Sequence, residues 1–107
     1  MRFCTALRWL RPDVELLRDS LTVAVGEFES RTGFYRSIKE LPVEGGRPEG
    51  WKRVQTAERW WERHVSNGRG NTGRAYARFD TRTRRWGFLL GWKSEQVRDI
   101  AWLQNEP

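Results

Sequence analysis

Two short segments with alternating side chains most constrain the fold of this chain. They are residues 74–80 (RAYARFD) and residues 85–92 (RWGFLLGW), and the polar turn Thr81–Arg84 separates them. A two-residue period on both sides of a polar turn is typical of an antiparallel β-hairpin. The sequence therefore predicts a hairpin over residues 74–92.

The two faces of this hairpin are predicted to differ, because successive side chains of a strand point to opposite faces. One face is apolar and is predicted to join the core: Ala75, Ala77, Phe79, Trp86, Phe88, Leu90 and Trp92. The other face carries Arg74, Tyr76 and Arg78 beside Gly87 and Gly91. We expect that face to point outward, with the glycines leaving room for a ligand.

Two helices are predicted before the hairpin. Apolar residues recur at three- and four-residue steps over residues 12–31, which end near a glycine, so this stretch is predicted to be helical. Within it, residues 21–25 (LTVAV) are rich in β-branched residues, so a strand is the alternative prediction for this segment. A second helix is predicted over residues 50–65, with Trp51, Val54 and Trp61 on its apolar face.

The remaining segments complete a prediction of one α+β domain over residues 1–107. Residues 2–9 alternate and could add a third strand, and residues 34–41 favour a short helical turn. Flexible connectors are expected at about residues 42–50 and 67–73, which are rich in glycine. Ser94 is predicted to cap a short C-terminal helix. The fold class is thus two main helices, an antiparallel hairpin and a short C-terminal helix.

Positive charge is concentrated between residues 59 and 93. The chain has a net charge of +6, and this window alone holds nine basic and two acidic residues. Arginine supplies 17 of the 20 basic side chains, and arginine binds phosphate in a bidentate manner and stacks on planar groups. GC-rich coding could explain the arginine content, but it does not explain the clustering.

This window predicts a small nucleic-acid-binding protein, because guanidinium groups interleaved with aromatic rings can hold phosphates and stack on bases. RNA is slightly preferred over DNA, since no helix-turn-helix spacing is present and a sheet with exposed rings suits unstacked bases. The predicted contact residues are Arg59, Trp60, Arg63, Arg69, Arg74, Tyr76, Arg78, Arg82, Arg84, Arg85 and Lys93.

Two other classes of function stay open. His64, the single histidine, could serve as the acid or base of a small ribonuclease or toxin, although a non-enzymatic role is favoured. Alternatively, exposed tryptophan and arginine side chains could bind an acidic host protein, as a phage- or virus-type inhibitor would. The sequence is also compatible with a homodimer.

The sequence predicts neither a metal site nor a cofactor. The lone cysteine, Cys4, cannot form an internal disulfide, and His64 has no partner at metal-ligand spacing. No apolar run is long enough to span a membrane, and no signal-peptide core follows Met1. We therefore expect no membrane association and no secretion, with a cytoplasmic location, or a nuclear one in a eukaryote or its virus.

Overall fold

The computed structural model describes residues 13–18, 36–65 and 73–105. These residues form a five-stranded mixed sheet and a C-terminal helix. The strands are β1 (Val14–Arg18), β2 (Lys52–Val54), β3 (Ala57–Val65), β4 (Gly73–Asp80) and β5 (Arg85–Trp92). A 3₁₀ turn, Lys93–Glu95, leads into helix α1 (Gln96–Asn105).

The strand order is β1-β5-β4-β3-β2. Strands β2 to β5 form an antiparallel meander, and β1 adds to its edge in parallel with β5. The predicted hairpin is confirmed, since Phe79 pairs with Trp86 and Asp80 with Arg85 on either side of the turn.

The predicted fold class, with two main helices, is wrong. The first predicted helix, over residues 12–31, begins with strand β1, where the Asp13 carbonyl accepts a 2.8 Å hydrogen bond from the Trp86 backbone N–H. Parallel pairing with β5 thus overrides the helical spacing of the apolar residues. Most of that segment, with residues 2–9, lies outside the described residues.

The second predicted helix, over residues 50–65, is the β2–β3 hairpin. Trp60 and Trp61 explain why a strand is favoured. Neighbouring strand residues point to opposite faces, so Trp60 is 2 % exposed in one layer and Trp61 is 9 % exposed in the other. A helix would place the two rings about 100° apart, and both could not be buried equally.

Both faces of the sheet are covered. Ile38, Leu41 and Trp51, from the chain before β2, pack on one face with Trp86 and Phe88. Leu103 of α1 packs on the other face against Trp60, Tyr76 and Leu89. The face of the β4–β5 hairpin that was expected to point outward is therefore buried beneath α1. The prediction that Arg74, Tyr76 and Arg78 share an exposed face is wrong.

The remaining local predictions have mixed outcomes. Residues 36–39 are helical, as predicted for this region. Residues 42–50 form successive turns, and the Pro42 carbonyl accepts a 2.7 Å hydrogen bond from Trp86 Nε1, so this connector is anchored to the sheet. The C-terminal helix is confirmed, but Ser94 lies within the 3₁₀ turn and is not its cap. Residues 67–72 of the other connector are outside the described residues.

Candidate functional site

The predicted cationic residues do not form one continuous surface. Arg82, Arg84 and Arg85 lie at the β4–β5 turn, whereas Lys93 follows the opposite end of β5. Eight strand residues separate these ends by about 26 Å. Arg59, Arg82, Arg85 and Lys93 are exposed, and Arg69 lies outside the described residues.

Several predicted contact residues are buried or already engaged in contacts within the protein. Arg74 is 4 % exposed and Tyr76 is fully buried, so neither side chain projects outward as predicted. Trp60 is buried, and its ring lies 5.4 Å from the half-buried Arg78 guanidinium carbon. This arrangement stabilises the sheet and leaves no exposed stacking ring at Trp60.

Two further arginines form ion pairs. Arg63 Nη2 lies 3.1 Å from Glu40 Oε2, and Arg84 pairs with Glu44 at the other end of the sheet. Both pairs are partly or fully exposed to solvent, where an ion pair contributes little and can exchange partners. A phosphate could therefore compete with these carboxylates.

The strand register brings together five polar side chains, which we call the polar cluster: Lys52, Glu62, His64, Arg74 and Tyr76. Glu62 pairs with Lys52 of β2 on one side and with Tyr76 of β4 on the other. His64 pairs with Arg74 in the next rung on the same face. Residues directly opposite each other in an antiparallel pair share a face, so all five project toward the layer that contains α1.

Helix α1 closes over the inner part of the polar cluster. Gln96 Nε2 donates a 3.3 Å hydrogen bond to Glu62 Oε2. Asp99 is fully buried and its Oδ1 accepts a 3.4 Å hydrogen bond from Arg98 Nη2. Asp99 Oδ2 lies over Gly91, where a Cβ would come within 2.3 Å of that oxygen. Gly91, opposite Arg74 on β5, therefore gives the buried carboxylate its space.

The inner and outer parts of the polar cluster differ in their electrostatics. Burial raises the pKa of Tyr76 far above its usual range, and the nearby Glu62 and Asp99 carboxylates raise it further. Arg74 opposes this shift only in part. The phenol therefore stays protonated, while Lys52 and His64 at the outer edge are exposed.

An open cavity of about 290 Å³ lies at this outer edge, lined by Gly50, Lys52, Glu62, Arg63 and His64. It forms where the β2–β3 pairing ends, since Lys52 is the first residue of β2. Gly50 has a positive φ of 83° and lets the Arg63 guanidinium lie against its backbone. The cavity thus has basic groups on two sides and one carboxylate.

The Glu62 carboxylate is oriented by two neighbours. His64 Nε2–H donates to Glu62 Oε1 over 3.2 Å, and Gln96 holds the second oxygen. The Glu62 side chain is only 19 % exposed, whereas that of His64 is 53 % exposed. A shielded carboxylate that holds a solvent-accessible imidazole can orient it for proton transfer.

The strand register explains why sequence reasoning missed part of this site. Lys52, Glu62, Gln96 and Asp99 were not among the predicted contact residues, and they come from three different elements, β2, β3 and α1. The spacing of Glu62 with His64, and of Arg74 with Tyr76, is the one local signal, because two-residue steps share a strand face.

Among the described residues, no group of three histidine, cysteine, aspartate or glutamate side chains is arranged to hold a metal ion. No helix in this part of the chain is long and apolar enough to cross a membrane. Comparison of the chain with protein-family models, with curated protein sequences and with solved structures returns no match, so the site is interpreted from its own geometry.

Proposed function

We propose that this protein binds RNA and holds a backbone phosphate in the cavity at the outer edge of the polar cluster. The observation that carries the proposal is the convergence of Lys52, Arg63 and His64 on one open cavity. Glu62, the carboxylate there, is already engaged by His64 and Gln96. Lys52 makes no ion pair with any described residue, so its ammonium group is available to a phosphate oxygen.

Charge outside the cavity supports a polyanionic ligand over a small anion. The chain carries +6, and Lys93 is exposed at the same end of the sheet as the cavity. Arg63 is paired with Glu40, and its partly exposed guanidinium can exchange that carboxylate for a phosphate oxygen. Long-range attraction of this kind favours a polymer with many phosphates.

RNA is favoured over DNA because the cavity is a small, open notch at a sheet edge. A single unstacked nucleotide can enter such a notch, and single-stranded segments are the usual targets of proteins that bind RNA through a sheet. The Glu62–His64 pair can also hydrogen-bond a ribose 2′-hydroxyl group, which DNA lacks.

The exposed tryptophans that an inhibitor of an acidic host protein would need are not found in the described part of the chain. Trp51, Trp60, Trp61 and Trp86 are buried, and Trp92 and Trp102 are half-buried. We therefore favour RNA over an acidic protein as the ligand.

A binding titration tests the proposal. Fluorescence anisotropy of labelled single-stranded RNA is measured with the wild-type protein and with Lys52→Ala at several salt concentrations. Removal of one phosphate contact should weaken binding and reduce the slope of log K against log salt by about one.

The matched control is Arg82→Ala, which removes the same charge at the β4–β5 turn. We expect Arg82→Ala to lower affinity less than Lys52→Ala does. A larger loss for Arg82→Ala would place the phosphate contacts at the turn, and no binding at low salt would refute the proposal.

A further inference from the structure

We propose that the Glu62–His64 pair makes this cavity a catalytic site that cleaves RNA through the ribose 2′-hydroxyl group. The inference rests on the RNA binding proposed above, because the pair can act only on a phosphate held in the cavity. It adds a reaction, an acid–base residue and a product to a binding site.

The pair has the geometry of an oriented base. A carboxylate can only accept, so His64 Nε2 carries the proton in its 3.2 Å hydrogen bond to Glu62. In neutral imidazole the other nitrogen, Nδ1, then has a free lone pair. Glu62 selects this tautomer and stabilises the imidazolium that forms when Nδ1 takes up a proton.

The fixed position of Glu62 distinguishes this pair from an ordinary surface ion pair. Its side chain is 19 % exposed, and its second oxygen accepts from Gln96 of α1. A freely exposed carboxylate would lose its orientation and much of its interaction energy to solvent. His64, in contrast, is exposed enough to meet a polymer at the cavity.

Basic groups stand where negative charge would develop. Lys52 lies opposite Glu62 across β2 and β3, and Arg63 reaches the cavity from the other face of β3. Both can stabilise the non-bridging oxygens as phosphorus becomes five-coordinate. Arg74 is buried directly opposite His64, on the same face of the sheet.

The reaction is an internal transfer of the phosphoryl group. His64 Nδ1 removes the 2′-hydroxyl proton, and the 2′-oxygen attacks the adjacent phosphorus. The bond from phosphorus to the 5′-oxygen breaks, and that oxygen leaves with the electron pair and takes a proton from water. His64 then returns its proton to solvent, so the products are a 2′,3′-cyclic phosphate and a 5′-hydroxyl end.

The test separates cleavage from binding by using two strands of the same sequence. One is end-labelled RNA, and the other carries 2′-O-methyl groups and cannot react. Cleavage of the first strand is followed on a gel in EDTA, and binding of the second is followed by anisotropy. Wild type, His64→Ala, His64→Asn and Glu62→Gln are compared, with circular dichroism to verify folding.

We expect wild type to produce cyclic-phosphate ends, and both His64 variants to cleave at least about 100-fold more slowly, a much larger loss than their loss of affinity for the methylated strand. Glu62→Gln should cause a smaller loss. Intact RNA after hours with wild type that binds the methylated strand would overturn the cleavage alone. Undiminished cleavage by the His64 variants would also overturn it, and failure to bind either strand would overturn both proposals.

Discussion

His64 and Arg74 lie directly opposite each other on β3 and β4, and their side chains leave the same face of the sheet. The His64 side chain is half exposed, whereas Arg74 is buried. The boundary of the layer formed by α1 runs between them. The polar cluster therefore has an outer edge that can meet a ligand and an inner part that supports it.

Burial of Arg74 predicts that this residue contributes to stability. Its Nη1 donates a 2.8 Å hydrogen bond to the Gly73 carbonyl. Arg74→Ala should lower the free energy of unfolding by about 1–3 kcal/mol, because it removes a buried donor from its acceptor. Urea unfolding measures this loss. The exposed Arg85→Ala is the control and should change stability by less than about 0.5 kcal/mol; equal effects would contradict the burial of Arg74.

Trp60 and Trp61 test the strand assignment of residues 57–65. Each ring is buried in a different layer, so Trp60→Ala and Trp61→Ala should each cost about 3–5 kcal/mol. If one variant unfolds like wild type in urea, that ring is exposed and the strand assignment fails.

Gly91 tests the contact between β5 and helix α1. A methyl group there would collide with Asp99 Oδ2, so Gly91→Ala should destabilise the fold by about 1–3 kcal/mol. Asp99→Ala should also destabilise it, but the double variant should lose less than the sum of the two, because the collision is removed. Thermal unfolding of all four proteins gives the coupling; strict additivity would mean that these residues do not meet.

We expect the stability of the protein to depend on pH through Asp80 at the β4–β5 turn. Its Oδ1 accepts hydrogen bonds from the backbone N–H groups of Arg82 and Thr83, and the Arg82 bond does most to hold the pKa of Asp80 below its usual 3.8. A lowered pKa contributes stability above pH 3.8, and that stability is lost as the pH falls toward the lowered value.

Asp80→Asn keeps a neutral acceptor and isolates the charge. We expect this variant to be less stable than wild type at pH 6, with the difference shrinking below pH 3.8. Urea unfolding at pH 6 and at pH 3 measures both differences. A difference that is the same at the two pH values would show that the Asp80 charge does not stabilise the turn.

The hairpin could be predicted from sequence because both strands show a two-residue period around a polar turn. The β2–β3 hairpin could not, because Trp61 and Val65 are four residues apart, and this spacing gives a shared face in a helix and in a strand alike. The turn at residues 55–56, Gln-Thr, also lacks the glycine or asparagine that marks a tight hairpin.

The site was only partly predictable for a related reason. His64, Arg74 and Tyr76 stand out by residue type, but their grouping with Lys52 depends on the register of three strands. The burial of Arg74 and Tyr76 could not be inferred from the sequence either. Alternation shows that a strand has two faces, and only the packing of α1 shows that both are covered.

His64 gives the most direct measurement of the central claim, because a chain with one histidine has a single set of imidazole proton signals. Nuclear magnetic resonance spectra are recorded while a 2′-O-methyl oligoribonucleotide is added. We predict that the His64 ring signals shift to saturation, and that high salt or Lys52→Ala reverses or weakens the shift. An oligonucleotide that binds without moving these signals would contradict the placement of RNA at the polar cluster.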